Sequence, residues 1–229
     1  MKTLIAIAGC HARRAQSDAQ RQTWVRDVRD AEVRFFAGGP GDSWPQSGEV
    51  WLDCPDGYWE RREKVLAMIR WTLARGFDYL WKVDDDVYLR PERLLAIPPH
   101  DYCGCAVDFN QGPTKACIGW LYGLSRHSME LLLEPDTSHL PYWDDYRLLA
   151  GPGAGSIHED VWVGLRLLEF GILPVQLAGF GGLIRCTHCH GEPNGWDHQE
   201  PPRPDNKVMA SCEYTPTQMR EIHRAFRPS

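Results

Sequence analysis

The run Tyr79 to Val83 is an apolar, β-rich segment that carries the chain directly into three consecutive aspartates, Asp84, Asp85 and Asp86. A strand of that composition is buried, so its charged end has to emerge where the sheet stops. Two carboxylates about 4 Å apart repel by roughly 4 kcal/mol at an effective dielectric of about 20. A divalent cation removes that cost, and hard oxygen ligands suit Mg²⁺ or Mn²⁺. Ligands in open α/β sheets bind beyond the carboxyl ends of the strands, which is where this triad falls. An extended backbone would send Asp84 and Asp86 to one side and Asp85 to the other. Asp84 and Asp86 are then the pair that faces a metal and a nucleotide. A solvated acidic turn accounts for the same three residues on composition alone.

The flanking pattern reads as alternating strands and helices. Residues 3–9, Glu32 to Ala37 and Val50 to Asp53 are strands, and Gly38-Gly39-Pro40-Gly41 is a turn cluster. Asp18 to Val28 opens like a helix anchored by Trp24 and Val25. Glu60 to Arg75 is the clearest helix, stopped by Gly76. After a short strand at Val87 to Leu89 and a short helix from Pro91, two strands between Tyr102 and Leu124 flank Gln111-Gly112-Pro113. Helices follow over Ser125 to Leu133 and about Ile157 to Phe170. The last helix is capped by Thr215, Pro216 and Gln218. The expected fold class is α/β, with a mainly parallel sheet between helical layers and a more mixed second half. A length of 229 residues suits one domain, with a nucleotide-binding half over about 1–90 and an acceptor and catalytic half over about 91–229.

A second acidic constellation stands at Ser156-Ile157-His158-Glu159-Asp160, behind the glycine-rich stretch 151–155. Ser156 and Glu159 have the spacing of a capping box, which would occupy Glu159 at the helix start. Asp160, one residue on, lies in the first helical turn, where the helix dipole favours an ionised carboxylate. A carboxylate there, facing a loop, is suited to act as a general base.

Charge and cysteine usage narrow the partners. A formal net charge of -6 is the wrong sign for a nucleic-acid binder. The opening apolar run is too short for a membrane span and reads as a strand, so no membrane span and a cytoplasmic location are expected. Reduced thiols are then expected for the eight cysteines. Cys186 and Cys189 are nonetheless spaced as half of a zinc site, which Cys103 and Cys105, or Cys212, would have to complete. The ten tryptophans offer platforms for a sugar or base face, although burial in the core is the commoner fate of indole.

Several segments, in order, resemble the β1,3-galactosyltransferase, β1,3-N-acetylglucosaminyltransferase and Fringe family of inverting glycosyltransferases. Arg13-Arg14 through Arg21-Gln22-Thr23-Trp24 resembles that family's opening "R…IR.TW", and Phe35-Phe36-Ala37-Gly38 its "F..G" strand. Asp53 to Trp59 followed by Lys64 is similar to "D..D.Y.NLT.K", and Trp81 to Val87 to the "KxDDDV" form of its DxD motif. Gly119 to Arg126 is similar to "G.GY.LSR", and Glu159 to Gly164 to "EDVyvG". His188-Cys189-His190-Gly191-Glu192 resembles the "HSHLE" stretch of Fringe.

The resemblance implies a GT-A-type three-layer sandwich and a metal-dependent transfer of a hexose or N-acetylhexosamine. The donor would be a UDP-sugar, the acceptor a glycan or other hydroxyl-bearing molecule, and the linkage β1,3. It implies that Asp86 with Asp84 binds Mn²⁺ or Mg²⁺ under the donor diphosphate, with His190 as a further ligand. Asp160 becomes the base, and the nucleotide-sugar is held around Arg21, Trp24, Asp53, Lys64, Asp84 and Asp85. The loop with Gly195-Trp196-Asp197-His198 has the composition of a lid over the substrates. Two other functions remain open on the residues themselves. One is a metal-dependent nucleotidyltransferase, and the other a non-catalytic, zinc-stabilised binding module on a degenerate transferase fold.

Overall fold

The structure is a computed structural model and describes residues 1–40, 45–57, 60–108, 115–135, 158–177, 209–211 and 214–226. In chain order it contains β1 (Thr3–Ala8), α1 (Arg14–Gln22), β2 (Glu32–Gly38), β3 (Glu49–Leu52), α2 (Arg61–Ala74), β4 (Tyr79–Asp84) and β5 (Tyr88–Leu89). These are followed by α3 (Pro91–Leu94), β6 (Tyr102–Asp108), β7 (Lys115–Ser125), α4 (Arg126–Leu132), α5 (Glu159–Glu169), β8 (Val175–Gln176), β9 (Ala210–Ser211) and α6 (Pro216–Phe226). Short 3-10 turns at His11–Arg13 and Trp24–Asp27 flank α1.

Seven strands form one sheet in the order β3-β2-β1-β4-β7-β6-β8. The first four run parallel, β7 is antiparallel to both β4 and β6, and β8 is parallel to β6. The expected mixed, mainly parallel sheet is thus present, and β5 and β9 make a separate antiparallel pair. Strand alternation divides the apolar side chains into two cores. Ile5, Ile7, Trp81 and Leu121 face one way, against Ala19 of α1 and Met219 and Ile222 of α6. Leu4, Ala6, Leu80 and Tyr122 face the other, against residues of α2, α4 and α5 such as Met68, Met129 and Val163. The result is a three-layer α/β sandwich.

Local signals set most boundaries. Gly76 adopts φ +72° just past α2, a conformation that glycine reaches without a Cβ penalty. At α6, Thr215 N–H donates to Gln218 Oε1 at 2.9 Å and Gln218 N–H to Thr215 Oγ1 at 3.3 Å, a closed capping box. Ser125 caps α4 from outside, accepting from Ser128 N–H at 3.2 Å. The helix read over Asp18 to Val28 instead starts earlier and ends at Gln22. Thr23 turns its hydroxyl back onto Ala19 O at 2.6 Å, and Trp24 leaves the helical path to enter the core.

Helix α5 lies unusually near β7. A Cβ built on Gly164 would sit 2.4 Å from the Cβ of Ala116, so only glycine fits this contact. Gly164→Val should lower stability by about 1–3 kcal/mol, the usual cost of overpacking a core, read as a lower urea midpoint with the slope unchanged. An unchanged midpoint would show that the helix is free to move off the sheet.

Candidate active site

Central neighbours β1 and β4 are paired along their length, with Ala8 opposite Asp84, so Gly9 and the aspartate triad emerge at one edge of the sheet. A cleft of about 300 Å³ opens there. Arg13 from the first loop, Asp56 from the loop after β3 and Arg61 and Lys64 from the start of α2 line it beside Asp84 and Asp85. Lys82 and Glu159 form part of its wall.

Lys82 joins the two acidic motifs. It is 2% exposed, and its ammonium donates to Asp84 Oδ1 at 2.6 Å and to the carbonyl of Gly119, and pairs with Glu159 Oε1 at 2.9 Å. Burial alone would lower the Lys82 pKa, but Asp84 and Glu159 more than offset it and hold the ammonium as a cation. One ammonium cannot neutralise two carboxylates. Burial therefore pushes Glu159 upward, with Asp160 and Asp84 adding to the effect against Lys82. Glu159 is the first residue of α5, and His158 stands at the N-cap with no side-chain capping bond. The carboxylate expected to close a capping box is thus turned into the protein onto Lys82, while Ser156 lies outside the described residues. Lys82 stands within the "KxDDDV" stretch, yet sequence reading gave it no role. Its partners at positions 119 and 159 are too distant in sequence to be visible there.

Asp160 is half-buried and held at both oxygens. Its Oδ2 accepts from Gly119 N–H at 2.9 Å and its Oδ1 from Val161 N–H at 2.8 Å. Burial raises its pKa, opposed by these two hydrogen bonds and by Lys82. A raised carboxylate is a stronger base, and the residue whose N–H fixes it, Gly119, is also the one whose carbonyl Lys82 holds.

The triad does not alternate as an extended strand would. Strand β4 ends at Asp84, and the following turn brings Asp85 and Asp86 onto one guanidinium. Arg13 lies 3.0 Å from Asp85 Oδ1 and 2.9 Å from Asp86 Oδ2. Asp85 is 2% exposed, and burial, with Asp84 and Asp86 adding to it against Arg13, raises its carboxyl to about 7. A carboxyl raised on folding contributes stability that is full below its unfolded pKa and is lost as pH rises through the folded value. The window here runs from about pH 4 to about pH 7. Asp85→Asn has no such loss, so the melting temperature of the variant relative to wild type should be higher at pH 8 than at pH 5 (both approximate). A difference that is flat across that range would place Asp85 in water.

The remaining nucleotide candidates are distributed unevenly. Lys64 lies on the cleft and donates to Asp56 Oδ1 at 2.7 Å and to Gly9 O at 2.8 Å. Asp56, not the exposed Asp53, is built into the site, accepting also from the backbone N–H groups of His11 and Gly38 at 2.7 Å each. Burial would raise Asp56, but these hydrogen bonds, led by that from Lys64, leave it below the usual carboxylate range. Gly38 must be glycine here, because a Cβ would lie 2.4 Å from Pro55 O. Trp24 is 1% exposed and donates to Val87 O at 3.0 Å, so its indole supports the core beneath the triad and offers no face to a base. Arg21 is taken up by Glu49 at 2.9 Å and stacks 3.8 Å over Phe35, clamping α1 to β2 and β3. Beside the cleft, His11 and Trp51 meet edge to face at 5.3 Å on a shallow hollow shared with Gly9 and Cys10.

His188, His190, Cys186, Cys189, Cys212 and the segment 195–198 lie outside the described residues. Cys103 and Cys105 are core thiols, pushed up by burial, Cys105 to about 11. Among the described residues no group of three or more His, Cys, Asp or Glu side chains is arranged to hold a metal ion. Asp84 and Asp86 are hard oxygen donors all the same, and the carboxylate crowding that adds to burial in raising Asp85 is what a divalent cation would relieve. In kind, the donors fit Mg²⁺ or Mn²⁺.

No protein-family model matches the sequence, and no curated protein matches it either. Solved glycosyltransferase structures are similar in fold. The galactosyltransferase LgtC, solved with donor and acceptor sugar analogues, matches over 96% of this chain and 95% of its own, with 12% identity and a TM-score of 0.56. A glycosyltransferase involved in glycosylating the major capsid of PBCV-1 matches over 96% of this chain and 97% of its own, with 8% identity and a TM-score of 0.51. Glycosyltransferase GlyE of Streptococcus pneumoniae TIGR4, in its apo form, matches over 76% of this chain at 11% identity and a TM-score of 0.45. The chain spans 45% of the length of GlyE. The fold is α/β and GT-A-like. Among the described residues no helix is long and apolar enough to cross a membrane.

Proposed function

We propose that this protein is a metal-dependent inverting glycosyltransferase that moves a hexose or N-acetylhexosamine from a UDP-sugar to an acceptor hydroxyl, in a β1,3 linkage. The observation that carries this reading is Lys82, which ties Asp84 at a strand end to Glu159 at the start of the helix bearing Asp160, beside a cleft. The motif resemblance to the β1,3-galactosyltransferase and Fringe family supports the same assignment.

In this reading the diphosphate occupies the cleft, where Arg13, Arg61 and Lys64 supply cationic groups suited to its charge. The nucleoside lies toward the hollow at His11 and Trp51. Asp84 and Asp86, with His190, would hold a divalent cation, which would supply Lewis-acid stabilisation of the departing diphosphate. Asp160 takes the acceptor proton as that oxygen bonds to the anomeric carbon and the bond to the diphosphate breaks. The Gly119 N–H fixes the carboxylate for that transfer and keeps it from rotating.

UDP binding should depend on Mn²⁺, and Asp86→Ala should abolish that dependence when both proteins are followed by calorimetry. Undiminished Mn²⁺-dependent binding in the variant would remove Asp86 from the metal site. Tightly held zinc with no affinity for UDP would favour a binding module instead.

A further inference from the structure

Arg13 reaches two of the three aspartates from the edge of the cleft. Its guanidinium spans Asp85 and Asp86 at 3.0 and 2.9 Å, and its side chain is 35% exposed, on a short 3-10 turn between β1 and α1. A cation that both neutralises the triad and lines the cleft is in competition with any metal there, and it is within reach of any anion that enters. We propose that Arg13 is a displaceable internal counter-ion, which bridges Asp85 and Asp86 until a nucleoside diphosphate draws its guanidinium away and opens the aspartates to a divalent cation. This rests on the donor-binding reading above.

The chemistry favours exchange over permanent pairing. Guanidinium presents a planar fork that matches carboxylate and phosphate alike, so leaving one for the other keeps its hydrogen bonds. Asp86, once vacated, would face the rest of the triad without the guanidinium that offsets its charge, which makes cation entry favourable at that moment. Lys82 cannot take this part. It is buried and held by Asp84, Glu159 and Gly119, whereas Arg13 swings from a loop without unpacking either core. Diphosphate and metal then bind cooperatively through a residue of the chain as well as through contact with each other, and by linkage the enhancement is reciprocal.

The test measures Mn²⁺ binding by calorimetry with and without UDP, on wild type, Arg13→Met and Arg13→Lys. Arg13→Met should bind Mn²⁺ alone about tenfold more tightly than wild type, while the factor by which UDP enhances Mn²⁺ binding should fall about tenfold. Arg13→Lys, whose compact ammonium lacks the planar fork that spans the two carboxylates, should fall between them, and it carries the test if the methionine variant does not fold. Mn²⁺ affinity that is unchanged or weaker in the variants overturns the proposal, and so does an absence of Mn²⁺ binding in every protein. Tighter Mn²⁺ binding in the variants with no UDP binding to any of them would uphold the counter-ion and sink the donor-binding reading instead.

Discussion

Asp160→Asn should cut turnover with a UDP-sugar donor by roughly 10²–10⁴-fold, the usual worth of general-base catalysis. Asparagine keeps the shape of the side chain and its carbonyl oxygen still accepts from Gly119 N–H, while its amide nitrogen cannot accept from Val161 N–H, so stability should fall by about 1–3 kcal/mol and UDP affinity should stay close to wild type. What it loses is the basic oxygen, whose strength burial has increased. Glu159→Gln provides the contrast. Its amide oxygen still faces the Lys82 ammonium while the charge is lost, so activity should largely persist and the effect should fall on stability. Single-turnover rates for the two variants separate the roles. Normal transfer by Asp160→Asn would give the base to another group.

Lys82→Met should be the most destabilising single change in the site. The ammonium is fully buried and shared by Asp84, Glu159 and the Gly119 carbonyl, so its removal strands the buried Glu159 carboxylate and the carbonyl and leaves Asp84 with the longer contact to Arg61 at 3.9 Å. Breaking a buried pair from one side costs about 3–5 kcal/mol. At about 2–4 °C per kcal/mol for a chain of this size, the melting temperature should drop on the order of 10 °C. Glu159→Gln in the same chain should recover part of that loss, because it removes the stranded charge. A drop of less than about 1 kcal/mol would mean that water reaches the pair and screens it.

The fold was legible wherever its cause was local. The strand at Tyr79–Asp84, the stop at Gly76 and the Thr215–Gln218 box are decided by neighbours within a turn, and they stand where the pattern put them. The site was legible in its acidic residues and much less so in its geometry. Alternation assigned Asp85 and Asp86 to opposite sides, but the chain turns at Asp84 and both meet Arg13. Glu159 carries the spacing of a capping box, yet the pull of a buried ammonium from β4 decides its rotamer. Trp24 and Asp53 fit a motif string, whereas burial of one and exposure of the other follow from packing that no string contains. Asp56 and Lys64 are eight residues apart, and they form the built pair because Gly38 lets the loop after β3 press against β2.

The central claim is sugar transfer with inversion, and the anomeric proton of the first sugar released reports on it directly. Wild-type protein would be incubated with Mn²⁺ and a panel of α-linked UDP-sugars, water serving as the acceptor, and followed by proton NMR from the first minutes. The account predicts UDP together with free sugar that appears first as the β anomer, with Asp160→Asn nearly silent. Sugar released first as the α anomer would contradict the inverting mechanism, and UMP with sugar 1-phosphate in place of UDP would contradict sugar transfer itself.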